Sequence, residues 1–496
     1  AMTLERFSKP RLQTESRLGE RSVGWLELFY DLIYVAALIQ VGQGLVDDVS
    51  TTGAIQFVIL FFLLWWAWTG TTFYMNRITA DDLPHRFLVI AQMIAIGALA
   101  TEVGGAFDDQ SANVALAYGV VRTTLVLMYV RAWRLIPRAA ALARRYTIWF
   151  GAAATLWFIS VAVPNPWRFW LWGAAILIDA SRVFRRDITG SGSLQPDREH
   201  MSERYALFTI IVLGESFIKT TGAVADHGVT LDTQILGAIG LSITVALWWT
   251  YFDDVADSPI RARGSAKASA ATWVYAHLPL TMGLTATGVA VEKLALSELG
   301  QSMQSKYVAL MIVSIIGVLA AISVIDAVTV NRHFAISERD RLIPRLASIA
   351  ALLIIWTVGA TLPAQIFGMI VLAVVALQIG VEDTLAKRRE DGVRDHVARL
   401  IEENRGATGL CEHLTDLSIA SPIAGVCVEC AEKGMVWVHL RSCTTCGTVG
   451  CCDDSEGQHA TAHHESTDHP VIISIEDGED WAWCYEHEIS LDLTSP

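Results

Sequence analysis

The stretch GAIQFVILFFLLWWAWTGTTFYM, residues 53–75, contains no charged side chain. A helix of roughly 20 apolar residues crosses the hydrocarbon core of a bilayer, so this stretch predicts a transmembrane helix. The whole chain has a hydrophobic content of 53% and a mean hydropathy of +0.40. Both values are high for a soluble protein of this size and indicate that further segments of the same kind are present.

Twelve such segments can be marked before residue 385, each close to the length that a bilayer requires. They are residues 24–46, 53–75, 86–104, 112–133, 146–164, 167–184, 203–222, 231–252, 270–293, 306–330, 344–361 and 363–381. The sequence therefore predicts an all-α polytopic membrane protein of about 12 transmembrane helices.

The distribution of Lys and Arg tests this count, because cytoplasmic loops are rich in both residues. If the N-terminus is cytoplasmic, 30 of the 35 basic residues before residue 411 fall in cytoplasmic segments. Arg168, Lys219, Lys293 and Lys306 fall on the other side, and Arg122 lies inside a segment. We therefore expect a multi-pass protein of the cell inner (plasma) membrane with both termini in the cytoplasm.

Short matches relate the first six segments to the last six. They are Leu-Phe at 28–29 and 207–208, Leu-Trp-Trp at 64–66 and 247–249, and Val-Ala-Leu at 114–116 and 308–310. The pair Trp157 and Pro164 likewise matches Trp356 and Pro363. Six helices per half is an even number, so both halves insert in the same orientation. This pattern predicts two parallel six-helix repeats, the plan of some transporters, whose sites lie between the halves.

Six charged residues in or beside the apolar segments are candidates for a polar membrane site: Glu27, Asp31, Arg122, Asp179, Arg204 and Glu215. Glu27 and Asp31 are four residues apart and share one helix face. Arg122 needs a carboxylate partner inside the membrane, and Glu27, Asp31, Asp179 and Glu215 are all eligible. Such groups either hold helices together as ion pairs or carry a proton or a solute, and both interpretations stay open here.

Two of the segments resemble a known family. ELFYDLIYVAAL (27–38) and RYALFTIIVLGESFI (204–218) are similar to the two signature stretches of the low temperature requirement A (LtrA) family, and the similarity spans about 20–385. The resemblance implies a polytopic bacterial membrane protein linked to growth in the cold, and it supplies no biochemical activity. The family's motif residues found here are Glu27, Phe29, Asp31, Arg204, Gly214 and Glu215.

All eight cysteines lie between Cys411 and Cys484. The spacings CVEC (427–430) and CTTC (443–446) are typical of zinc sites, because two such thiolates can face one tetrahedral ion. Thiols stay reduced in the cytoplasm, so we interpret these residues as metal ligands and not as disulfides.

The same tail carries the net charge of the chain. Residues 411–496 hold 16 Asp and Glu against Lys433 and Arg441, a formal net of −14. Nucleic-acid binding needs clustered Lys and Arg, so this charge excludes it as an expected function. It also argues against docking on anionic lipid.

The tail, residues 411–488, resembles the UBP-type zinc finger, a ubiquitin-binding module, in the stretches CEH, CVEC, CTTCGTVGC, HATAHH, DHPV and WCYEH. The resemblance implies up to three structural zinc sites. Their ligands would be Cys411, His413, Cys484 and His487; Cys427, Cys430, Cys451 and His459; and Cys443, Cys446, His463 and His469. His487 replaces a cysteine of the version compared, and the adjacent residues at 451/452 and 463/464 could exchange roles.

The resemblance also implies a pocket for a free C-terminal carboxylate, which an Arg after a Cys-Gly pair would bind. Trp483 and Tyr485 match the aromatic wall of that pocket, but the Cys-Gly-Arg stretch reads Cys451-Cys452-Asp453 here. An Asp repels a carboxylate, so we expect no binding of the ubiquitin C-terminus.

Two functions fit these observations. The first is a transporter or channel-like protein for a small solute or ion, with a cytoplasmic zinc finger that regulates it or binds a cytosolic protein partner. The alternative is a membrane-embedded sensor or assembly protein that binds a lipid or another ligand and recruits a partner through the finger. We expect no enzyme, because no nucleophile–base pair can be placed in the sequence.

The predicted domain boundaries follow from these patterns. They are a cytoplasmic tail at 1–22, six-helix repeats at 23–184 and 203–382, a charged helical linker at 383–410 and a small α+β zinc-finger domain at 411–496.

Overall fold

The computed structural model of the chain describes residues 10–12, 23–79, 82–183, 197–253, 266–329, 338–404, 411–415, 420, 422–433, 435–476, 479 and 481–492. The N-terminal tail, predicted at 1–22, lies mostly outside these residues, as do residues 405–410 of the predicted linker.

Twelve long helices follow one another in the described part of the chain before residue 405. They are α1 (Trp25–Asp47), α2 (Thr51–Arg77), α3 (Leu83–Glu102), α4 (Ser111–Leu135), α5 (Ala140–Val161), α6 (Trp167–Val183), α7 (Arg198–His227), α8 (Leu231–Phe252), α9 (Ala266–Ala295), α10 (Ser305–Val328), α11 (Glu338–Gly359) and α12 (Ala364–Asn404). Each overlaps one predicted segment.

Ten of these helices are long and apolar enough to cross a membrane. The two that do not meet this criterion are α5, which carries Arg144 and Arg145 in its second turn, and α6, which has only 17 residues. A mostly helical multi-pass membrane protein is therefore confirmed. Twelve crossings and a repeated architecture stay predictions.

Side-chain caps define where several helices begin. Ser50 accepts a hydrogen bond from the backbone N of Gly53 at 3.2 Å, and Asp82 accepts one from the backbone N of His85 at 3.2 Å. These bonds satisfy first-turn donors that would otherwise have no acceptor in an apolar surrounding. The caps therefore let α2 and α3 begin sharply after short connections.

The chain divides into two compact units. The first comprises Ala1–Trp248, Val274–Ala321 and Leu352–Leu372, and its core includes the buried aromatic residues Trp65, Trp68 and Trp157. The second comprises Trp249–Trp273, Ile322–Ala351 and Ala373–Pro496, and it includes the cysteine-rich tail.

In the first unit, α1 packs against α2, α3 and α7, while α4 packs against α3 and α5. A short antiparallel pair, β1 (Arg11–Leu12) and β2 (Ile78–Thr79), joins Arg11 opposite Thr79 at the end of α2. The last long helix, α12, continues without a break for 41 residues, from its apolar half into the charged stretch after residue 383.

The tail forms a small β-containing domain. Its elements are α13 (Glu412–Thr415), α14 (Val428–Lys433), β3 (Leu440–Cys443), β4 (Val449–Cys451), α15 (His459–Thr467), β5 (Val471–Ser474), β6 (Trp481–Cys484) and β7 (Ile489–Asp492). The strands form one antiparallel sheet in the order β4-β3-β5-β6-β7. Two small apolar clusters pack around cysteines on this sheet. The cysteine side chains are therefore part of the core of the domain.

Candidate functional site

Asp31 on α1 and Arg204 on α7 form a buried ion pair. The Arg204 Nε lies 3.0 Å from Oδ2 of Asp31, and its second terminal nitrogen lies 2.5 Å from Oδ1. The indole nitrogen of Trp68 on α2 donates to the same Oδ1 at 2.7 Å. Because the carboxylate receives two guanidinium bonds and an indole bond, its charge is well compensated in the apolar interior.

Glu27 lies one turn earlier on α1, at the rim of the same pair. Its Oε1 lies 3.9 Å from Arg204, its Oε2 lies 3.4 Å from the Nε2 of His200, and Oε2 also accepts from the backbone N of Gly24 at 3.1 Å. The two signature stretches therefore meet where α1 and α7 begin.

Arg122 on α4 pairs with Asp179 on α6 at 2.7 Å, and both side chains are buried. Its guanidinium carbon also lies 4.7 Å from the centroid of the Phe150 ring on α5. Of the four carboxylates that the sequence allows as partners of Arg122, Asp179 is thus the one that contacts it.

Glu215 and Lys219 form a third pair of a different kind. They lie one turn apart on α7, with 2.7 Å between Lys219 Nζ and Glu215 Oε1 and side-chain exposures of 2% and 6%. Beyond this contact, neither charged group has a hydrogen-bond partner among the described residues. A Cβ at Gly42 of α1 would lie 3.3 Å from Glu215 Oε1 and 3.2 Å from Thr285 of α9, so three helices meet here.

The six predicted membrane-site residues are therefore distributed over three ion pairs: Asp31 and Arg204 with Glu27 at the rim, Arg122 with Asp179, and Glu215 with Lys219. Of the other family motif residues, the side chain of Phe29 is 53% exposed and Gly214 has open space around it.

Several charged contacts were missed at the sequence level. The distribution of basic residues places Lys219 on the outer side and does not pair it with Glu215, although a spacing of four residues is the usual signal of a helical ion pair. In the second unit, Arg345 of α11 contacts Glu382 of α12 at 3.1 Å and Asp326 of α10 at 3.3 Å. No local spacing links residues so far apart in sequence.

A pocket opens between α2, α4, α5 and α9 in the first unit and holds about 440 Å³ of empty space, part of it open to the surroundings. The described residues that line it are Trp66, Thr69, Gly70, Phe73, Arg77, Arg122, Tyr129, Tyr146, Phe150 and Tyr275. Most of the wall is aromatic, and none of these residues is acidic.

In the tail, three groups of four side chains each bring their donor atoms within 4.8 Å of one another. They are Cys411, His413, Cys484 and His487; Cys427, Cys430, Cys451 and His459; and Cys443, Cys446, His463 and His469. These are the three ligand sets that the resemblance implied, including His487 in place of a cysteine.

The distances fit zinc. Zn–S bonds of ~2.3 Å and Zn–N bonds of ~2.0–2.1 Å in a tetrahedron place ligand atoms about 3.3–3.8 Å from one another. In the buried group, Cys430 Sγ lies 3.4 Å from Cys451 Sγ, within this range, and 3.1 Å from His459 Nδ1, slightly below it. In the first group, Cys484 Sγ lies 3.6 Å from the Nδ1 of both His413 and His487.

Burial raises the pKa of the Cys427 and Cys430 thiols, because it disfavours the thiolate. A bound zinc ion reverses this effect, since coordination stabilises the deprotonated sulfur. Buried neutral thiols in close contact therefore fit a site that acquires its thiolates when the metal binds.

The structure distinguishes the neighbouring residues at 451/452 and at 463/464. Cys452 lies 3.4 Å from the Ser455 hydroxyl and belongs to none of the three groups, while His464 stacks on the Tyr485 ring with 4.6 Å between centroids. Cys451 and His463 are thus the members of the four-residue groups, and Cys452 and His464 are not.

The predicted pocket residues of the finger lie at the ends of two strands, with Trp483 on β6, Tyr485 directly after it and Asp453 after β4. Asp453 follows β4, and its Oδ1 accepts a hydrogen bond from Thr461 at 2.5 Å, while Thr461 also lies 3.1 Å from the Tyr485 hydroxyl. Trp483 lies half-buried on β6. The Asp453 carboxylate therefore lies close to Tyr485, in the region of the predicted pocket.

Comparison with known proteins gave matches to both parts of the chain. The profile of the bacterial low temperature requirement A protein (LtrA) matches residues 22–384, and that of the Zn-finger in ubiquitin-hydrolases and other protein matches residues 427–494. The uncharacterized protein RA0937 of Rhizobium meliloti (strain 1021) is 30% identical over 274 residues, which cover 53% of this chain and 67% of that protein.

Among solved structures, the solution structure of protein RPA1320 from Rhodopseudomonas palustris is 46% identical. The match covers 18% of this chain and 86% of that one, with a TM-score of 0.17.

Proposed function

We propose that this chain, which belongs to the bacterial low temperature requirement A family, is a transporter or channel-like protein for a small solute or ion. In this proposal Glu215 and Lys219 are the proton- or ion-carrying groups of its membrane domain.

The observation that carries the proposal is that this ion pair lies within a single helix. A structural ion pair lowers the free energy of folding by joining two elements, as Asp31 and Arg204 do. Glu215 and Lys219 join nothing, yet burying both charges costs free energy in an apolar segment. A group kept in the membrane at that cost is best explained by function.

Further charges lie along the same helices. Glu292 is buried on α9, and Asp47 and His227 lie at the ends of α1 and α7. In this proposal these groups lead from the Glu215–Lys219 pair to one end of the three helices.

Proton flux tests this role. Purified protein is reconstituted into liposomes that contain a pH-sensitive dye, and a potassium diffusion potential drives the flux. We expect Glu215→Gln to lower the wild-type flux at least tenfold, because the amide cannot exchange a proton at neutral pH. Glu102→Gln is the control, since Glu102 accepts a hydrogen bond from Asn113 at 3.0 Å in an exposed contact, and it should keep the wild-type rate. Flux that is equal in both variants would overturn the role of Glu215.

A second candidate function is the membrane-embedded sensor or assembly protein. It is favoured by the other two pairs, which join α1, α2 and α7 and join α4 and α6 into fixed contacts. A wild-type protein without any flux, for protons or for small ions, would favour this alternative.

For the tail we propose three structural zinc ions and a role in binding a cytosolic protein partner. The four-ligand groups leave no coordination position for a substrate, so we propose no zinc-dependent catalysis, and no enzymatic activity for either domain. We also propose that the protein lies in the inner membrane, that both termini are cytoplasmic, and that the membrane domain consists of two six-helix repeats.

We further propose that the finger does not bind the ubiquitin C-terminus. The Thr461 hydroxyl contacts both the Asp453 carboxylate and the Tyr485 hydroxyl, so the Asp453 carboxylate lies close to Tyr485. It would repel an incoming carboxylate there. Calorimetry of the detergent-solubilised protein with a ubiquitin C-terminal peptide should give no measurable heat of binding, whereas a micromolar Kd would contradict the proposal.

A further inference from the structure

Arg122 presents an unused hydrogen-bond donor to the pocket between α2, α4, α5 and α9. The residue is 1% exposed, and one of its terminal nitrogens contacts Asp179 at 2.7 Å. Its Nε and its other terminal nitrogen, Nη1, have no hydrogen-bond acceptor among the described residues. Because a buried guanidinium donor without an acceptor is costly, these nitrogens indicate that a molecule from outside the chain supplies one.

Gly70 on α2 keeps the space beside this donor open. It lines the same pocket, and a Cβ at this position would lie 3.4 Å from Nη1 of Arg122 and 3.3 Å from the side chain of Leu125. A larger residue at position 70 would therefore take up the space in front of Nη1. The free donor and the room for its acceptor thus lie in one part of the pocket.

The charges around the pocket favour a neutral molecule. Asp179 compensates Arg122, and Arg77, the other guanidinium of the wall, has an interaction partner of its own. An anion therefore has no counter-charge here that is left without a partner, whereas a cation would meet two guanidinium groups. A neutral acceptor satisfies the free N–H of Arg122 and adds no buried charge.

The wall of the pocket favours a flat apolar ring. Trp66 and Tyr275 stack at 6.2 Å between centroids on one part of the wall, and Tyr129 and Tyr146 stack at 4.9 Å on another. Aromatic surfaces of this kind bind flat apolar ligands, while a few polar groups fix the orientation of the ligand.

We propose that this pocket binds a neutral quinone, whose carbonyl oxygen accepts a hydrogen bond from Nη1 of Arg122 beside Gly70 and whose ring contacts the aromatic wall. A quinone combines the two properties that the pocket requires, because it carries acceptors without charge and its ring is flat and apolar. Neither Glu215 nor Lys219 lines the pocket, so this site does not depend on the transport proposal.

The test measures binding of a tritiated menadione with a decyl tail to the purified full-length protein in nanodiscs, with protein-free nanodiscs as the blank. The tail occupies the free quinone carbon, so no cysteine thiol can add there. We expect saturable binding of this quinone.

Two competitors test the chemistry of the ligand. One is the naphthalene hydrocarbon with the same methyl and decyl groups but no carbonyl, and the other is the anion dodecanoate. Neither should displace the quinone at tenfold excess. Displacement by the hydrocarbon would remove the role of the carbonyl, and displacement by dodecanoate would show that the pocket selects an anion, so either result overturns the proposal.

Two variants test the residues. The double variant Arg122→Met with Asp179→Asn removes the donor and leaves no lone buried carboxylate, while Gly70→Ala keeps the ion pair and places a methyl group beside Nη1. We expect each to weaken quinone binding by about tenfold or more, because a hydrogen bond from a charged donor contributes that much. Gly97→Ala on α3 is the matched control, since no described atom lies within 4 Å of a Cβ there, and it should bind as the wild type does.

Folding of each variant is checked by its zinc content and its elution volume. Absence of saturable binding to the wild type would leave water as the partner of Arg122 and overturn the proposal. Wild-type affinity in either folded pocket variant would overturn it as well.

Discussion

At the scale of single residues, Asp31 and Arg204 form a fully enclosed pair of opposite charges. Both side chains have 0% exposure and satisfy each other through two short contacts. Replacing Asp31 leaves Arg204 buried with only the more distant Glu27 carboxylate near it, at 3.9 Å, and loss of the close partner of a buried charge costs several kcal/mol.

We therefore expect Asp31→Ala to lower the free energy of unfolding by about 3–5 kcal/mol. Unfolding of the detergent-solubilised protein by SDS, followed by tryptophan fluorescence, measures the change. The double variant Asp31→Asn with Arg204→Gln removes both charges at similar volume and should recover most of the loss. If the double variant is less stable than Asp31→Ala, the uncompensated charge is not the cause.

Residue chemistry alone showed that Arg122 needs a carboxylate partner, but not which one. Four acids are eligible because each lies in an apolar segment, and only the packing of α5 against both α4 and α6 brings Asp179 to 2.7 Å from Arg122. Lys219 is the opposite case, because its partner lies four residues away and was visible in the sequence.

At the scale of elements, the zinc ligands follow from local geometry. Along a strand, successive side chains point to opposite faces, so Cys451 at the end of β4 and Cys452 just after it cannot both face one metal. On α15, His459 and His463 are one turn apart and belong to two different groups.

This arrangement predicts unequal effects of two cysteine substitutions. Cys430→Ser removes a ligand and should lower the zinc content by about one ion per chain, with loss of structure around β3 and β4, because metal binding supplies folding free energy in a small domain. Mass spectrometry of the metal content checks it.

Cys452→Ser is the matched control, since Cys452 is also buried but contacts Ser455 instead of a metal group. It should keep the wild-type zinc content. An equal loss of zinc in both variants would show that residues 451 and 452 exchange roles.

At the scale of the whole molecule, membrane topology depends on whether α5 and α6 cross the bilayer. Because the chain has no cysteine before Cys411, single cysteines can be introduced in the connections and labelled from outside with a membrane-impermeant maleimide.

We expect Val163→Cys, between α5 and α6, to be labelled in intact cells, and Arg138→Cys, between α4 and α5, to be labelled only after permeabilisation. The positive-inside distribution gives this direction. Glu298→Cys, in the connection between α9 and α10, is the positive control. Protection of Val163→Cys in intact cells would mean that α5 and α6 do not span the membrane and that fewer than twelve helices cross.

The amino-acid sequence alone predicted the membrane fold and the position of each long helix, and the resemblance of the tail to the UBP-type zinc finger implied its ligand sets. Hydropathy, helix length and Cys/His spacing are local properties, and local properties can be read along a chain. The tertiary structure alone decided that Arg204 pairs with Asp31 across 173 positions, that Arg122 pairs with Asp179, and that an aromatic pocket forms around two arginines. Those contacts depend on how helices pack against one another, and in an apolar segment many packings satisfy the same hydropathy, so no single stretch of sequence specifies them.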